Sequence, residues 1–318
     1  MPAPTDPSIL RIASLDAARL DPSLRADAHD EPSARSYALT LSAPDGAPIA
    51  ADLVVPTEEP RGALLVAPAM GVKRRYYAGF AKHLASHHGL ASITIDYRGI
   101  GGSRATPMRT TRAALTDWGE LDLAAASDEL ARRFGGLPTH YVGHSVGGQL
   151  MGFVPDAPFE RALFVGSQSG YWGHWDGVHR AGMAVLWHAV IPASLATLGY
   201  LPGKALGGGE DVPGGVARQW ATWGRDPEYL GVSARERDGA WFSLWRGRLR
   251  AYAIADDGYA PERAVRALVD MYRHADREVR VVRPRDVGVR EIGHFGFFRS
   301  RFAASLWEDA GRFLVDGT

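Results

Sequence analysis

The residues of this chain best suited to covalent chemistry are Ser145, the pair Asp256-Asp257 and His294. A serine hydroxyl is a weak nucleophile at neutral pH. It attacks a carbonyl only when a neighbouring base takes its proton, and a histidine serves as that base only when a third group fixes its tautomer. Ser145 lies in the run His140-Tyr-Val-Gly-His-Ser-Val-Gly-Gly148, between Gly143 and Gly147. An apolar stretch precedes it and a helix-like one follows. A strand turning sharply into a helix holds its turn residue in a strained conformation with the neighbouring backbone very close, so the flanking positions need glycine. With 37 glycines in 318 residues, such a pentapeptide arises by chance on the order of 0.2 times. Its context must therefore decide.

That context is an alternation of strand and helix. Ser36–Ser42 and Pro48–Val55 read as strands of a hairpin around the turn Ala43-Pro-Asp-Gly46. Gly62–Val66, Leu90–Asp96 and His140–Val142 are short apolar runs. Tyr76–His87, stopped by Gly89, and Asp117–Phe134 carry helical spacing between them. Beyond Ser145 the pattern predicts a helix to Phe153, a strand Arg161–Val165, a strand Leu249–Ala255, a helix Pro261–His274, a strand Glu278–Val282 and a final helix Arg301–Val315. Buried runs alternating with helices imply a mostly parallel sheet covered on both faces. Such a sheet presents its loops, here those carrying Ser145, Asp256-Asp257 and His294, at its carboxyl edge. From Tyr171 to Trp245 the rhythm is lost, and seven of the nine tryptophans fall there. The expected organisation is a weakly ordered segment 1–35, a core of 36–170 and 246–318, and a Trp-rich insertion 171–245.

Over nearly its whole length from Ser36 the chain resembles the α/β-hydrolases. The resemblance rests on Gly143-His-Ser-Val-Gly-Gly148, on Ile95-Asp-Tyr-Arg-Gly-Ile-Gly-Gly-Ser103, on Asp257-Gly-Tyr-Ala-Pro261, and on the order serine, acid, histidine along the chain. It implies an α/β-hydrolase fold with an inserted cap at 171–245. Its catalytic residues would be Ser145 as nucleophile, His294 as general base and Asp257, four residues before Pro261, as the acid in preference to Asp256. The oxyanion hole would use the N–H groups of Val146 and Met70. The loop Ala67-Pro-Ala-Met-Gly-Val72 departs from the family here, with Pro68-Ala69 in place of the common His-Gly pair. Tyr171, Trp172 and Trp187 are the substrate-binding candidates in the cap, while Ser103 and Ser167 are expected to be structural.

The expected activity is hydrolysis of a carboxylic ester with a small to medium apolar acyl group, through an acyl-enzyme. The same residues would serve an acyltransferase, an amidase or a peptidase, and a non-catalytic binding protein of this fold is the remaining alternative. A small-molecule ester is the expected partner, with no cofactor and no metal. Equal numbers of basic and acidic residues, 36 each, provide no global field for nucleic acid. The absence of cysteine excludes disulfides and thiolate chemistry. His83, His87 and His88 on one predicted helix have metal-like i, i+4 spacing, but without an accompanying acid motif they read as a surface face. The first thirty-five residues contain no uninterrupted apolar run of a secretory signal, so a cytoplasmic location is expected. The stretch 181–203 lacks Asp, Glu, Lys and Arg, but Pro192 interrupts it, and two short apolar helices facing a pocket are expected rather than a membrane span.

Overall fold

The computed structural model describes residues 25–26, 33–236 and 241–318. Eleven strands form in chain order: β1 Arg25–Ala26, β2 Ala34–Ser42, β3 Pro48–Pro56, β4 Gly62–Ala67, β5 Leu90–Ile95, β6 Thr139–His144, β7 Arg161–Val165, β8 Tyr200–Leu201, β9 Val212–Pro213, β10 Arg248–Ile254 and β11 Asp276–Val282. Nine of them make one sheet in the order β1-β2-β3-β5-β4-β6-β7-β10-β11, while β8 and β9 pair separately. The β1/β2, β2/β3 and β3/β5 pairings are antiparallel and the remaining five are parallel. Most of the segment expected to be weakly ordered, 1–35, lies outside the described residues, but Arg25 and Ala26 pair with β2.

Every residue of β4 and β5 is buried, as expected of central parallel strands with helices on both faces. Because successive side chains point to opposite faces, Leu64 and Val66 enter one core with Phe80, Leu163, Phe297 and Trp307. Ala63, Leu65 and Ala67 enter the other with Ile93, Leu130, Phe164 and Leu268. The first core is closed by helices α1 (Ala78–His88) and, counting ahead, the C-terminal Glu308–Asp316. The second is closed by α2 (Leu115–Asp117), α3 (Ala124–Phe134) and Glu262–Val269. Helix α1 ends as expected at Gly89, in a left-handed conformation.

Four details differ from the sequence expectations. A π-helical segment, Trp118–Leu123, joins α2 to α3. The helix expected over 261–274 stops at Val269, and Tyr272, fully buried in the turn that follows, makes the connection to β11 part of the core. The stretch around 181–203 does not form two separate helices: α5 (Gly177–Val185), a π-helical segment Leu186–Val190 and α6 (Ile191–Thr197) run on with helical dihedrals at each junction. Pro192 removes one backbone donor, and the wider π turn just before it absorbs the defect. Among the described residues no helix is long and apolar enough to cross a membrane. Finally, His83 and His88 do not lie on a solvent face. Both are buried where α1 meets the C-terminal helix, and only His87 is exposed.

The segment 171–245 also contains α7 (Gly214–Arg225) and α8 (Gly231–Arg235). Its buried residues Trp187, Ile191, Val216 and Trp223 belong to the same hydrophobic cluster as the sheet.

Candidate active site

Between β6 and the short helix α4 (Val146–Leu150), Ser145 stands at φ 53° and ψ −118°, a region costly for any residue with a Cβ. The turn is held because its neighbours leave no room for a relaxed one. A Cβ on Gly143 would fall 2.4 Å from the backbone of Gly148, and one on Gly147 would fall 2.1 Å from the Ala67 carbonyl oxygen. The second contact presses the turn against the β4 loop that carries Met70. Ser145 N–H donates to Val165 O at 3.0 Å. Val146 follows at the first helical position, where a backbone N–H has no intrahelical acceptor.

The carboxyl ends of β7 and β10 and the loop after β11 bring the other two residues in. His294 Nδ1 lies 2.7 Å from Asp257 Oδ2, with the Asp257 side chain wholly excluded from solvent. Asp257 Oδ1 accepts the N–H groups of Tyr259 at 2.8 Å and Ala260 at 3.1 Å, so the carboxylate cannot swing away. Gly166 follows Val165, the acceptor of the Ser145 N–H, and a Cβ there would meet Asp257 Oδ2 at 3.1 Å and His294 Nδ1 at 3.2 Å. Asp256 has a different place. Its Oδ2 accepts Ile292 N–H at 2.9 Å and Gly293 N–H at 3.2 Å, which fixes the backbone just before His294.

A second network, not foreseen from sequence, ties these parts together. Ala69 N–H donates to Tyr77 Oη at 2.8 Å, and Tyr77 Oη lies 2.9 Å from His144 Nδ1. His144 Nε2 in turn lies 3.0 Å from the His294 carbonyl oxygen. A carbonyl only accepts, so His144 carries its proton on Nε2, and the tyrosine proton goes to Nδ1. Burial, with His294 nearby, holds His144 well below the usual histidine range, which keeps the ring neutral as this pattern requires. With the Ala69 N–H occupied, Met70 offers the next backbone donor along the loop. The signal for this network was present in the histidine beside Ser145 and in Tyr76-Tyr77, but only tertiary contact joins them.

The glycine-rich segment after β5 anchors the same loop. Buried Asp96 accepts Arg74 N–H and Gly102 N–H, both at 2.8 Å. Ser103 Oγ donates to Asp96 O at 2.6 Å and Ser167 Oγ to Gly143 O at 3.1 Å, so both serines serve the backbone.

Residues 171–245 fasten over this edge at several points. Glu210 N–H donates to Gly71 O at 2.8 Å, Trp175 Nε1 to Gly258 O at 2.9 Å, and Tyr229 Oη to Gln149 Oε1 at 2.8 Å. Trp187, expected to touch substrate, is instead fully buried. Its indole donates to Gly170 O at 3.1 Å and packs edge-on against Trp220, and a Cβ on Gly224 would collide with it. Such a ring is packed within the segment 171–245. Tyr171 and Trp172 are half-buried, with Arg180 over the Trp172 ring. Tyr259, which sequence reasoning did not single out, is 63% exposed with its ring centroid 5.3 Å from that of His294.

The sheet order, the strained serine turn and the acid–histidine loops together are those of the α/β-hydrolase fold. Residues 58–197 match the model of a family described as serine aminopeptidase, S33. Among solved structures, an esterase of Pyrococcus furiosus is similar at 12% identity and TM-score 0.59, covering 99% of this chain and 95% of that one. A carboxyl esterase of Bacillus coagulans is similar at 14% identity and TM-score 0.56, covering 89% and 98%. An esterase domain from a Rhodothermus marinus protein is similar at 17% identity and TM-score 0.55, covering 87% and 98%. At these identities the likeness is one of fold. No curated protein matches the chain.

Proposed function

We propose that the protein is a serine hydrolase that cleaves carboxylic esters through an acyl-enzyme on Ser145. The observation that carries this reading is the 2.7 Å contact between His294 Nδ1 and a fully buried Asp257 whose other oxygen is held by two backbone N–H groups. With its Nδ1 proton committed to Asp257, His294 turns an unprotonated Nε2 to its other side, which suits it to take the Ser145 proton. Ser145 Oγ then attacks the ester carbonyl. The negative charge that develops on the carbonyl oxygen is met by the N–H groups of Val146 and Met70. Collapse breaks the C–O bond, and His294 returns the proton to the departing alcohol. Water, deprotonated by His294, repeats the attack on the acyl-serine and releases the acid.

In this reading residues 171–245 form a cap, and Tyr171, Trp172 and the exposed Tyr259 contact the acyl or alcohol group. The likeness of residues 58–197 to the serine aminopeptidase family favours one second reading, hydrolysis of an aminoacyl amide by the same residues. A panel of p-nitrophenyl esters, thioesters and aminoacyl p-nitroanilides, run with wild type and Ser145→Ala, tests both. Ester turnover in the wild type that Ser145→Ala abolishes is expected. Preferential cleavage of anilides would move the assignment to an amidase, and equal turnover by Ser145→Ala would end it.

A further inference from the structure

On the far side of α1 from the serine turn, His83 and His88 meet Glu308, the first residue of the C-terminal helix. His83 Nε2 lies 2.9 Å from Glu308 Oε1 and His88 Nε2 3.4 Å from Glu308 Oε2. All three candidate donor atoms fall within 4.8 Å of one another. Both Nε2 atoms are shielded from solvent.

That combination has a chemical meaning. Two ligands of one tetrahedral ion about 2.0–2.1 Å away sit roughly 3.3 Å apart. The two nitrogen–oxygen separations bracket that value. The site is also shaped around the rings: His83 stacks on His87 at 4.3 Å and meets Trp307 edge-on, and a Cβ on Gly311 would fall 2.2 Å from His88 Nε2. Glu308 is about one-third exposed, which leaves one side open for a water ligand and for entry.

We propose that His83, His88 and Glu308 bind one divalent transition-metal ion of the zinc class. Two imidazoles and one carboxylate suit zinc, cobalt and nickel and give little preference to magnesium or calcium. The bound ion would staple α1 to the C-terminal helix. The proposal is independent of the ester-hydrolase reading, since none of its residues belongs to the serine turn or its partners.

The test uses the full chain, stripped with a chelator and titrated with cobalt(II) chloride, then with zinc chloride as competitor. Expected are the visible d–d bands of four-coordinate cobalt at one ion per chain, displaced by zinc. Zinc at a hundredfold excess over its Kd should raise Tm by about 5 °C. Glu308→Gln and His88→Gln should each weaken binding on the order of 100-fold, whereas His274→Ala, at an exposed histidine outside the cluster, leaves it unchanged. Far-UV circular dichroism and metal-free Tm identify any variant that fails to fold, and two variants with different packing keep the test decisive. No cobalt bands, undiminished binding in both Glu308→Gln and His88→Gln, or loss of binding in His274→Ala would overturn the proposal; the first result leaves an ordinary histidine–glutamate contact.

Discussion

Replacing each of two adjacent aspartates by asparagine separates their roles. Asp257 Oδ2 faces His294 Nδ1 at 2.7 Å while its Oδ1 accepts two backbone N–H groups. In Asp257→Asn the amide oxygen keeps the backbone bonds, and the NH₂ group then turns toward Nδ1. Two donors cannot face each other, so the imidazole moves its proton to Nε2 and loses the lone pair that should accept the Ser145 proton. In serine hydrolases a replacement of this kind lowers kcat about 10⁴-fold, equivalent to about 5.4 kcal/mol of transition-state stabilisation. Asp256→Asn keeps an acceptor for the N–H groups of Ile292 and Gly293. It loses only charge assistance, about 1 kcal/mol of stability, and its rate should stay within tenfold of wild type. Release of p-nitrophenol from saturating butyrate ester, with Tm measured on the same samples, reads both effects. If Asp257→Asn kept a tenth or more of wild-type kcat while remaining folded, the tautomer argument would be refuted.

Two further expectations concern the framework of the site. Tyr77→Phe removes the hydroxyl that accepts Ala69 N–H and donates to His144 Nδ1, leaving two buried polar groups unpaired; urea unfolding should show a loss of about 2–5 kcal/mol, and a loss under 1 kcal/mol would argue that the network is not formed. Burial holds His144 well below its ordinary value and pushes His140 down to about 4. Both rings stay neutral in the folded chain and take up a proton in the unfolded chain below pH 6.5. These two rings therefore contribute most stability above that pH and withdraw about 2 kcal/mol each at pH 5, while Asp122, pushed up to about 7 by burial, acts in the opposite sense over the same range. Urea midpoints at pH 7 and pH 5 in wild type and His140→Gln check this: the variant should lose less stability between the two pH values, and an unchanged difference would contradict it.

How much of this was legible in the sequence depended on whether a residue's neighbours were close along the chain. The Ser145 turn could be read because its requirement for Gly143 and Gly147 is local, and the central strands because burial on both faces writes continuous apolar runs such as Gly62–Val66. Trp187 was misread because composition cannot tell an indole that packs an insertion from one that faces a ligand. That distinction is made by Gly170, Trp220 and Gly224, up to 37 residues away in this numbering. His83 and His88 failed for the same reason. Helical spacing puts them on α1, but the face they occupy is decided by Glu308 and Gly311 in the last helix. Pro192 signals a break in any local rule, yet the π turn before it lets the helix continue.

The central claim is that Ser145 is an activated nucleophile, and covalent labelling tests it most directly. Folded protein treated with a fluorophosphonate and digested should carry a single adduct, on the peptide containing Ser145. The adduct should be absent from Ser145→Ala and form far more slowly in His294→Gln. An unlabelled Ser145 in folded wild type, or labelling that proceeds as fast without His294, would contradict the account.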